Sequence, residues 1–217
     1  MNVEQARFNM IEQQIRPWDV LDTSVLALLS VVRREDFVPA AHRSLAFMDI
    51  EIPLPGGQNM LQPRLEARLV QELNLSKRDR VLVVGAGSGY VTALIAHKAQ
   101  RVIALEDRAE LVEMARKNLR NAQVHNAEVL QAEGSEGLAA QGPFDAILLT
   151  GSVTQVPQTL LDQVKAGGRL LAIVGRDPVM QATVFLKSAQ GQFTQQVLFD
   201  TLATPLDHMA AEVGFTF

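Results

Sequence analysis

Arg80-Val81-Leu82-Val83-Val84-Gly85-Ala86-Gly87-Ser88-Gly89-Tyr90 is the stretch on which the fold turns. An apolar run rich in β-branched residues ends in three glycines at alternate positions, and Val91-Thr92-Ala93-Leu94-Ile95-Ala96 then has the composition of a helix. Strand, tight turn and helix N-terminus in that order present backbone N–H groups to a nucleotide in α/β proteins. Glu106 follows 21 positions after Gly85 (106 − 85) and closes the next apolar run, where a carboxylate can accept both hydroxyls of a ribose.

Downstream of the turn, strand and helix signals alternate. Residues 80–84 lead to a helix over 89–98, strand 101–106 leads to helix 108–120, and Ala127-Glu128-Val129-Leu130-Gln131 reads as a third strand. Residues 144–150 make a fourth, 157–164 a helix and 169–174 a fifth strand. Strands separated by helices imply parallel pairing through right-handed crossovers, hence an α/β, doubly wound, mostly parallel Rossmann-like sheet. Residues 182–187 and 193–199, joined by Ser188 to Gln192, predict an antiparallel hairpin at its edge.

Upstream, Phe8, Ile11 and Ile15 fall on one face of a helix over 3–15 that Pro17 stops. Asp22-Thr23 caps a second helix, and Pro63 opens a third in which Leu65, Leu69 and Leu73 repeat every four residues. Between Pro39 and Pro63 the period is lost among Pro53, Pro55, Gly56 and Gly57, which predicts a loop serving as a lid or substrate wall. The expected organisation is an N-terminal helical extension with its loop, residues 1–62, packed on one cofactor-binding unit, residues 63–217.

The 217 residues are 47% hydrophobic, enough for one good core, and carry a net charge of −4 with Lys and Arg scattered. That distribution argues against nucleic acid as a main partner. With no cysteine there is no thiol nucleophile or thiolate metal site, and His42, His97, His125 and His208 lack metal-ligand spacing, so no metal is expected. The start resembles no signal peptide and no apolar run approaches membrane-spanning length, so the expectation is a cytoplasmic protein without membrane attachment.

Spacing selects among nucleotides. A dinucleotide fingerprint places its third glycine three positions after the second, where this chain has Tyr90, and a P-loop needs Lys then Ser or Thr where it has Tyr90-Val91. A Gly-x-Gly-Ser-Gly turn with a downstream acid suits a ligand without pyrophosphate, of which S-adenosylmethionine is the usual one. Gly85, Ala86, Gly87, Ser88, Gly89, Tyr90, Glu106, Asp107, Glu133 and Gly134 are the expected cofactor-binding residues, with S-adenosylhomocysteine as product.

These residues resemble the protein-L-isoaspartate O-methyltransferases, a branch of the class I S-adenosylmethionine-dependent methyltransferases. Val32-Arg33-Arg34-Glu35-Asp36-Phe37-Val38-Pro39 is similar to the family's V-P-R-E-x-F-V, Ile52-Pro53-Leu54 with Gly57-Gln58 to its L-P-I-G-x-G-Q, and Val81 to Ala96 to its strand-turn-helix run. Pro143 to Ile147, and Gly167 to Leu170 with Val174-Gly175, resemble its fourth and fifth strands, so the likeness covers roughly residues 25 to 206. It departs in three places. Asn59-Met60-Leu61 stands for the family's Thr-Ile-Ser, whose hydroxyls lie near the reacting methyl and carboxylate; Leu202 stands where a substrate-holding arginine is usual; and Glu133-Gly134 replaces Asp-Gly.

The resemblance implies methylation of the carboxylate of isoaspartyl residues in damaged proteins. A carboxylate is ionised at pH 7 and needs no general base, so the lack of a Ser/His/Asp or paired-carboxylate set does not count against an enzyme. Asn59 and Gln62 are candidates to orient the acceptor, and Met60, Leu61, Leu202 and Thr204 to line its site. Two alternatives stay open: a relative with a small or apolar acceptor, suggested by Met60, Leu61 and Leu202, and a non-catalytic module docking through its N-terminal helix and Trp18. The oligomeric state is not legible here.

Overall fold

The computed structural model describes residues 2–209; the last part of the expected cofactor-binding unit, 210–217, lies outside the described residues. Chain order begins with α1 (Val3–Asn9) and α2 (Thr23–Val31), then β1 (Ile52–Pro53), β2 (Asn59–Met60) and α3 (Pro63–Glu72). It continues through β3 (Arg80–Val84), α4 (Tyr90–Ala96), β4 (Arg101–Glu106), α5 (Ala109–Asn121) and β5 (Ala127–Gln131). It ends with β6 (Phe144–Val153), α6 (Gln158–Asp162), β7 (Val164–Arg176), β8 (Val179–Lys187) and β9 (Phe193–Asp200).

Seven strands form one sheet in the order β5-β4-β3-β6-β7-β8-β9. The first five in that order pair in parallel, and β7-β8 and β8-β9 are antiparallel, as the hairpin signal predicts. Alternation along each strand divides the core. Val81 and Val83 of β3, Val102 and Ala104 of β4 and Leu148 of β6 pack with α3, α4 and α5, whereas Leu82, Val84, Ile103, Leu105 and Leu149 pack on the other face with Leu160 of α6. The chain leaves β3 toward β4 and β5, then returns to the other side at β6. The crevice between the ends of β3 and β6 is therefore the topological switch point, the place where open α/β sheets bind ligands.

The N-terminal elements share the core of the first face: Met10, Ile15, Val25, Leu29, Leu65 and Leu94 belong to one buried cluster. Asp22 caps α2, its Oδ1 accepting the N–H groups of Ser24 at 2.8 Å and Val25 at 3.4 Å. The face predicted for the first helix is corrected at one position. Phe8 is 57% exposed, while Arg7, Met10, Ile11 and Ile15 are buried. After α1 the chain continues as a π-helical segment, Met10–Ile15, whose wider turn changes the phase of the buried face, and Arg7 turns inward to pair with Glu35.

Residues 39–62 are more ordered than a loop reading predicts. β1 and β2 form a two-residue antiparallel ladder, Ile52 opposite Met60 and Pro53 opposite Asn59, around a turn over Pro55–Gly57. Ile52, Leu54, Met60 and Leu61 are all buried. Among the described residues no helix is long and apolar enough to cross a membrane.

Candidate active site

The glycine turn sits at the switch point, fastened from both sides. Gly85 and Ala86 donate their N–H groups to the Leu105 carbonyl at 2.9 and 3.0 Å, and Thr150 Oγ1 on β6 donates to the Val84 carbonyl at 3.0 Å. Gly85 has φ +89°, and a Cβ there would lie 2.5 Å from Thr150 Oγ1 and 2.7 Å from Leu206. Gly89 has φ +86° and would place a Cβ 3.2 Å from the Ala115 backbone, so its part is to let α4 pack closely on α5.

Glu106, at the end of β4, turns its carboxylate to this loop. Its Oε2 accepts the Gly87 N–H at 2.9 Å and its Oε1 the Arg108 N–H at 3.3 Å. Only 6% of Glu106 is exposed, and burial pushes its carboxyl up to about 7; Asp107 adds to the rise, and the two N–H bonds oppose it. A carboxylate has about four lone-pair directions, so two remain for ribose hydroxyls. Gly85, Gly87, Glu106, Asp107 and Gly134 line one cleft with Gln58 and Asn59, and Leu206, Asp207 and Met209 from the end of the described chain share that lining.

Other expected cofactor residues lie elsewhere. Ala86, Ser88 and Tyr90 face a small cavity on the inner side of the turn, together with Met60, Leu61 and Glu66. Tyr90 is 1% exposed, packs edge-to-face on Phe37 with ring centroids 5.4 Å apart, and burial pushes its phenol upward. Glu133 is exposed, its Oε1 accepting the Ser135 hydroxyl at 2.5 Å.

Beneath the acceptor-side loop lies Arg34, with no exposed surface. It donates to the Ala46 carbonyl at 3.0 Å and the Leu61 carbonyl at 2.8 Å, pairs with Glu66, and stacks 5.4 Å from the centre of the Tyr90 ring. Burial drives the Glu66 carboxyl upward and the Arg34 charge opposes it. One guanidinium thus ties both ends of segment 46–61 to the floor of the glycine turn.

Asn59 lines the cleft at the glycine turn; Gln62, Leu202 and Thr204 line a second, outer cavity of about 640 Å³. Asn59 Nδ2 joins the two, donating to Thr204 Oγ1 at 2.7 Å and to Glu51 at 3.2 Å. Segment 203–206 is held there by β6: Ser152 N–H donates to the Thr204 carbonyl at 3.0 Å, and Leu206 N–H to the Ser152 carbonyl at 2.9 Å. Met60 and Leu61 take no part in the outer cavity, being 3% exposed each and packed in the core. Arg108 joins the loop to the end of the described chain, donating to the Gly56 carbonyl and to Asp207.

Sequence reasoning did not find Glu51, Gln58, Leu206, Asp207 or Met209. A charge between Ile50 and Ile52 is a signal for Glu51, and Gln58 closes the Gly57-Gln58 motif without being singled out as a site residue; the other three carry no local signal.

A family model described as "Protein-L-isoaspartate(D-aspartate) O-methyltransferase (PCMT)" matches residues 5–210. The chain belongs to this family. It is 36% identical over 200 residues to the protein-L-isoaspartate O-methyltransferase of Koribacter versatilis, covering 92% of this chain and 90% of that one. The protein of the same name from Methanoculleus marisnigri is 38% identical over 171 residues, 79% of this chain and 78% of its own. In structure, a Plasmodium falciparum protein solved with S-adenosyl-L-homocysteine superposes with a TM-score of 0.79 at 21% identity, covering 94% of this chain and 97% of that chain. A solved protein-L-isoaspartate O-methyltransferase gives 0.80 at 24% identity, covering 94% and 67%. These two likenesses concern the Rossmann-like fold, in which the glycine turn and the acid at the end of β4 lie at the switch point.

Proposed function

We propose that this protein transfers the methyl group of S-adenosylmethionine to the free carboxylate of isoaspartyl residues in proteins and peptides. The observation that carries it is the reach of the similarity: residues 5–210 match the family, so it includes the acceptor loop and the end of the described chain as well as the nucleotide-binding half.

The cofactor, when bound, supplies an electrophilic methyl on a sulfonium. Glu106, with two acceptor directions remaining, would hold the ribose hydroxyls, and Gly85 and Gly87 would line the site beside it. Leu206 and Met209 add apolar side chains to the lining of the cleft. Asn59 stands between cleft and outer cavity; both Nδ2 hydrogens are engaged, by Thr204 and Glu51, so its part is to fix the wall against which the acceptor lies. The acceptor is already anionic, so the chain's task is alignment of donor and acceptor, which alone accounts for much of such a barrier.

The test uses cofactor carrying a labelled methyl, with an isoaspartyl peptide and its ordinary aspartyl counterpart. The expected result is base-labile label on the isoaspartyl peptide only. Absence of label while calorimetry shows S-adenosylhomocysteine bound would overturn the acceptor assignment and leave the cofactor assignment standing.

A further inference from the structure

Glu51 sits half-buried on the inner wall of the outer cavity, on the side away from the cofactor cleft. Three neutral donors hold its carboxylate: the Thr204 N–H at 3.3 Å, the Thr204 hydroxyl at 2.9 Å and the Asn59 amide at 3.2 Å. Among the described residues no Lys, Arg or His pairs with it, although the structure pairs its neighbour Asp49 with Arg64 at 2.9 Å. Neutral donors satisfy its lone pairs but leave its charge without a counter-ion. Its fixed orientation and one free acceptor direction suit a cation brought in from outside.

The rest of the cavity says what form that cation takes. Ile50, Val153, Met180, Leu202 and Ala203 give it a mostly apolar lining, and the charged groups besides Glu51 and Asp49 are Arg176 and Asp177, adjacent and exposed at the rim. Those two offset each other, which leaves Glu51 as the uncompensated charge. An apolar passage with a carboxylate at its inner end matches a side chain with an aliphatic stem and a charged head. The volume of about 640 Å³ is ample for a lysine or arginine.

We infer that the outer cavity is a subsite for a basic residue flanking the isoaspartyl residue, and that Glu51 is the specificity-determining carboxylate that reads it. This rests on the isoaspartyl reading above. The acceptor carboxylate meets the cofactor on the Asn59 side of the wall, and the neighbouring side chain enters on the Glu51 side. Acidic neighbours are rejected by the same charge.

The experiment compares isoaspartyl peptides of one otherwise all-alanine sequence carrying Lys, Leu or Glu immediately before or after the modified residue. Their binding to the S-adenosylhomocysteine complex is measured by calorimetry, and kcat/KM by labelled-methyl transfer. The expected order is Lys above Leu above Glu at one flanking position, with Lys and Glu separated by about tenfold or more at low salt and less as ionic strength rises. Glu51→Gln brings Lys and Glu within about twofold, with S-adenosylhomocysteine binding as its check on folding. Leu202→Arg, which puts a cation on the same lining, reverses the order. A Lys-to-Glu ratio under twofold in the parent protein, or one that survives Glu51→Gln, overturns the subsite even where methyl transfer proceeds. Charge-selective binding that depends on Glu51 without transfer overturns the activity and keeps the subsite; no peptide binding at all overturns both.

Discussion

The two walls of the site are built by different means. On the cofactor side, the Gly85–Gly89 turn and Glu106 come from one strand-turn-helix-strand run, and most of the contacts are backbone N–H groups meeting a carbonyl or a carboxylate. On the acceptor side, Glu51 and Asn59 meet Thr204 across 153 and 145 residues of sequence, and the contacts are largely between side chains. A backbone-built wall is tied to the fold and tolerates few substitutions. A side-chain wall can be rewritten without moving a strand, and here it has Asn59 and Leu202 where the family resemblance leads one to expect a hydroxyl and an arginine.

The heaviest test of this division falls on Arg34, which lies between the two walls. Arg34→Ala leaves Glu66 buried without its cation and frees the Ala46 and Leu61 carbonyls. The expected loss is about 3–5 kcal/mol of unfolding free energy, read by urea denaturation. Replacing both partners by apolar residues of similar volume, Arg34→Met with Glu66→Met, should recover a large part of it. If the single variant costs under about 1 kcal/mol, the tie between the walls is not structural.

Next comes Gly85→Ala. A methyl group here meets Thr150 and Leu206 and forces φ +89° on a residue with a Cβ, at a cost of about 1–3 kcal/mol. Since the strain falls on the turn itself, S-adenosylhomocysteine affinity should drop roughly tenfold to a hundredfold by calorimetry. An unaffected affinity would detach the turn from the cofactor.

How far the sequence reaches follows the same division. The turn, Glu106, the parallel order and the edge hairpin are legible because their signals are local: glycine spacing, a charge closing an apolar run, alternation of strand and helix. The acceptor wall is legible only through the family resemblance, which points to Asn59, Leu202 and Thr204; nothing local near Thr204 announces that segment 203–206 returns to β6 and meets Glu51. Tyr90 shows the limit even within the legible part. Its position in the turn suggests cofactor contact, yet the first residue of α4 points inward and its ring joins Phe37 and Arg34. Phe8 lies off the buried face because a period of 3.6 does not anticipate the π-helical segment that follows it.

Glu106 sharpens the cofactor side through pH. Burial raises its carboxyl to about 7 in the free protein, and only the ionised form accepts both ribose hydroxyls. Cofactor binding therefore favours deprotonation: affinity is full above that value and is lost as pH falls through it. With the competent fraction near nine-tenths at pH 8 and one-tenth at pH 6, S-adenosylhomocysteine should bind about tenfold more weakly at pH 6. The folding sign is opposite. A raised acid binds its proton more tightly folded than unfolded, so Glu106 makes the free protein less stable as pH rises from its ordinary value of 4.5 through about 7. Glu106→Gln should flatten the binding profile, and a parent profile flat between pH 6 and 8 would show that this carboxylate does not receive the ribose.

The smallest expected effect is also the one that separates the walls most directly. Thr204→Val keeps the shape of the side chain and the backbone N–H to Glu51, but removes the hydroxyl that donates to Glu51 and accepts from Asn59. Two side-chain hydrogen bonds are lost, each worth about 0.5 kcal/mol net at the low end of the range because water reaches this half-buried site, so kcat/KM for an isoaspartyl peptide should fall about threefold to tenfold. Thr204 does not line the cofactor cleft, and S-adenosylhomocysteine affinity should stay within twofold. Thr204→Ser, which restores the hydroxyl without the methyl, should recover most of the activity. A parallel fall in cofactor affinity would mean that Asn59, freed from its anchor, disturbs the cleft it also lines, and the two walls would then have to be treated as one.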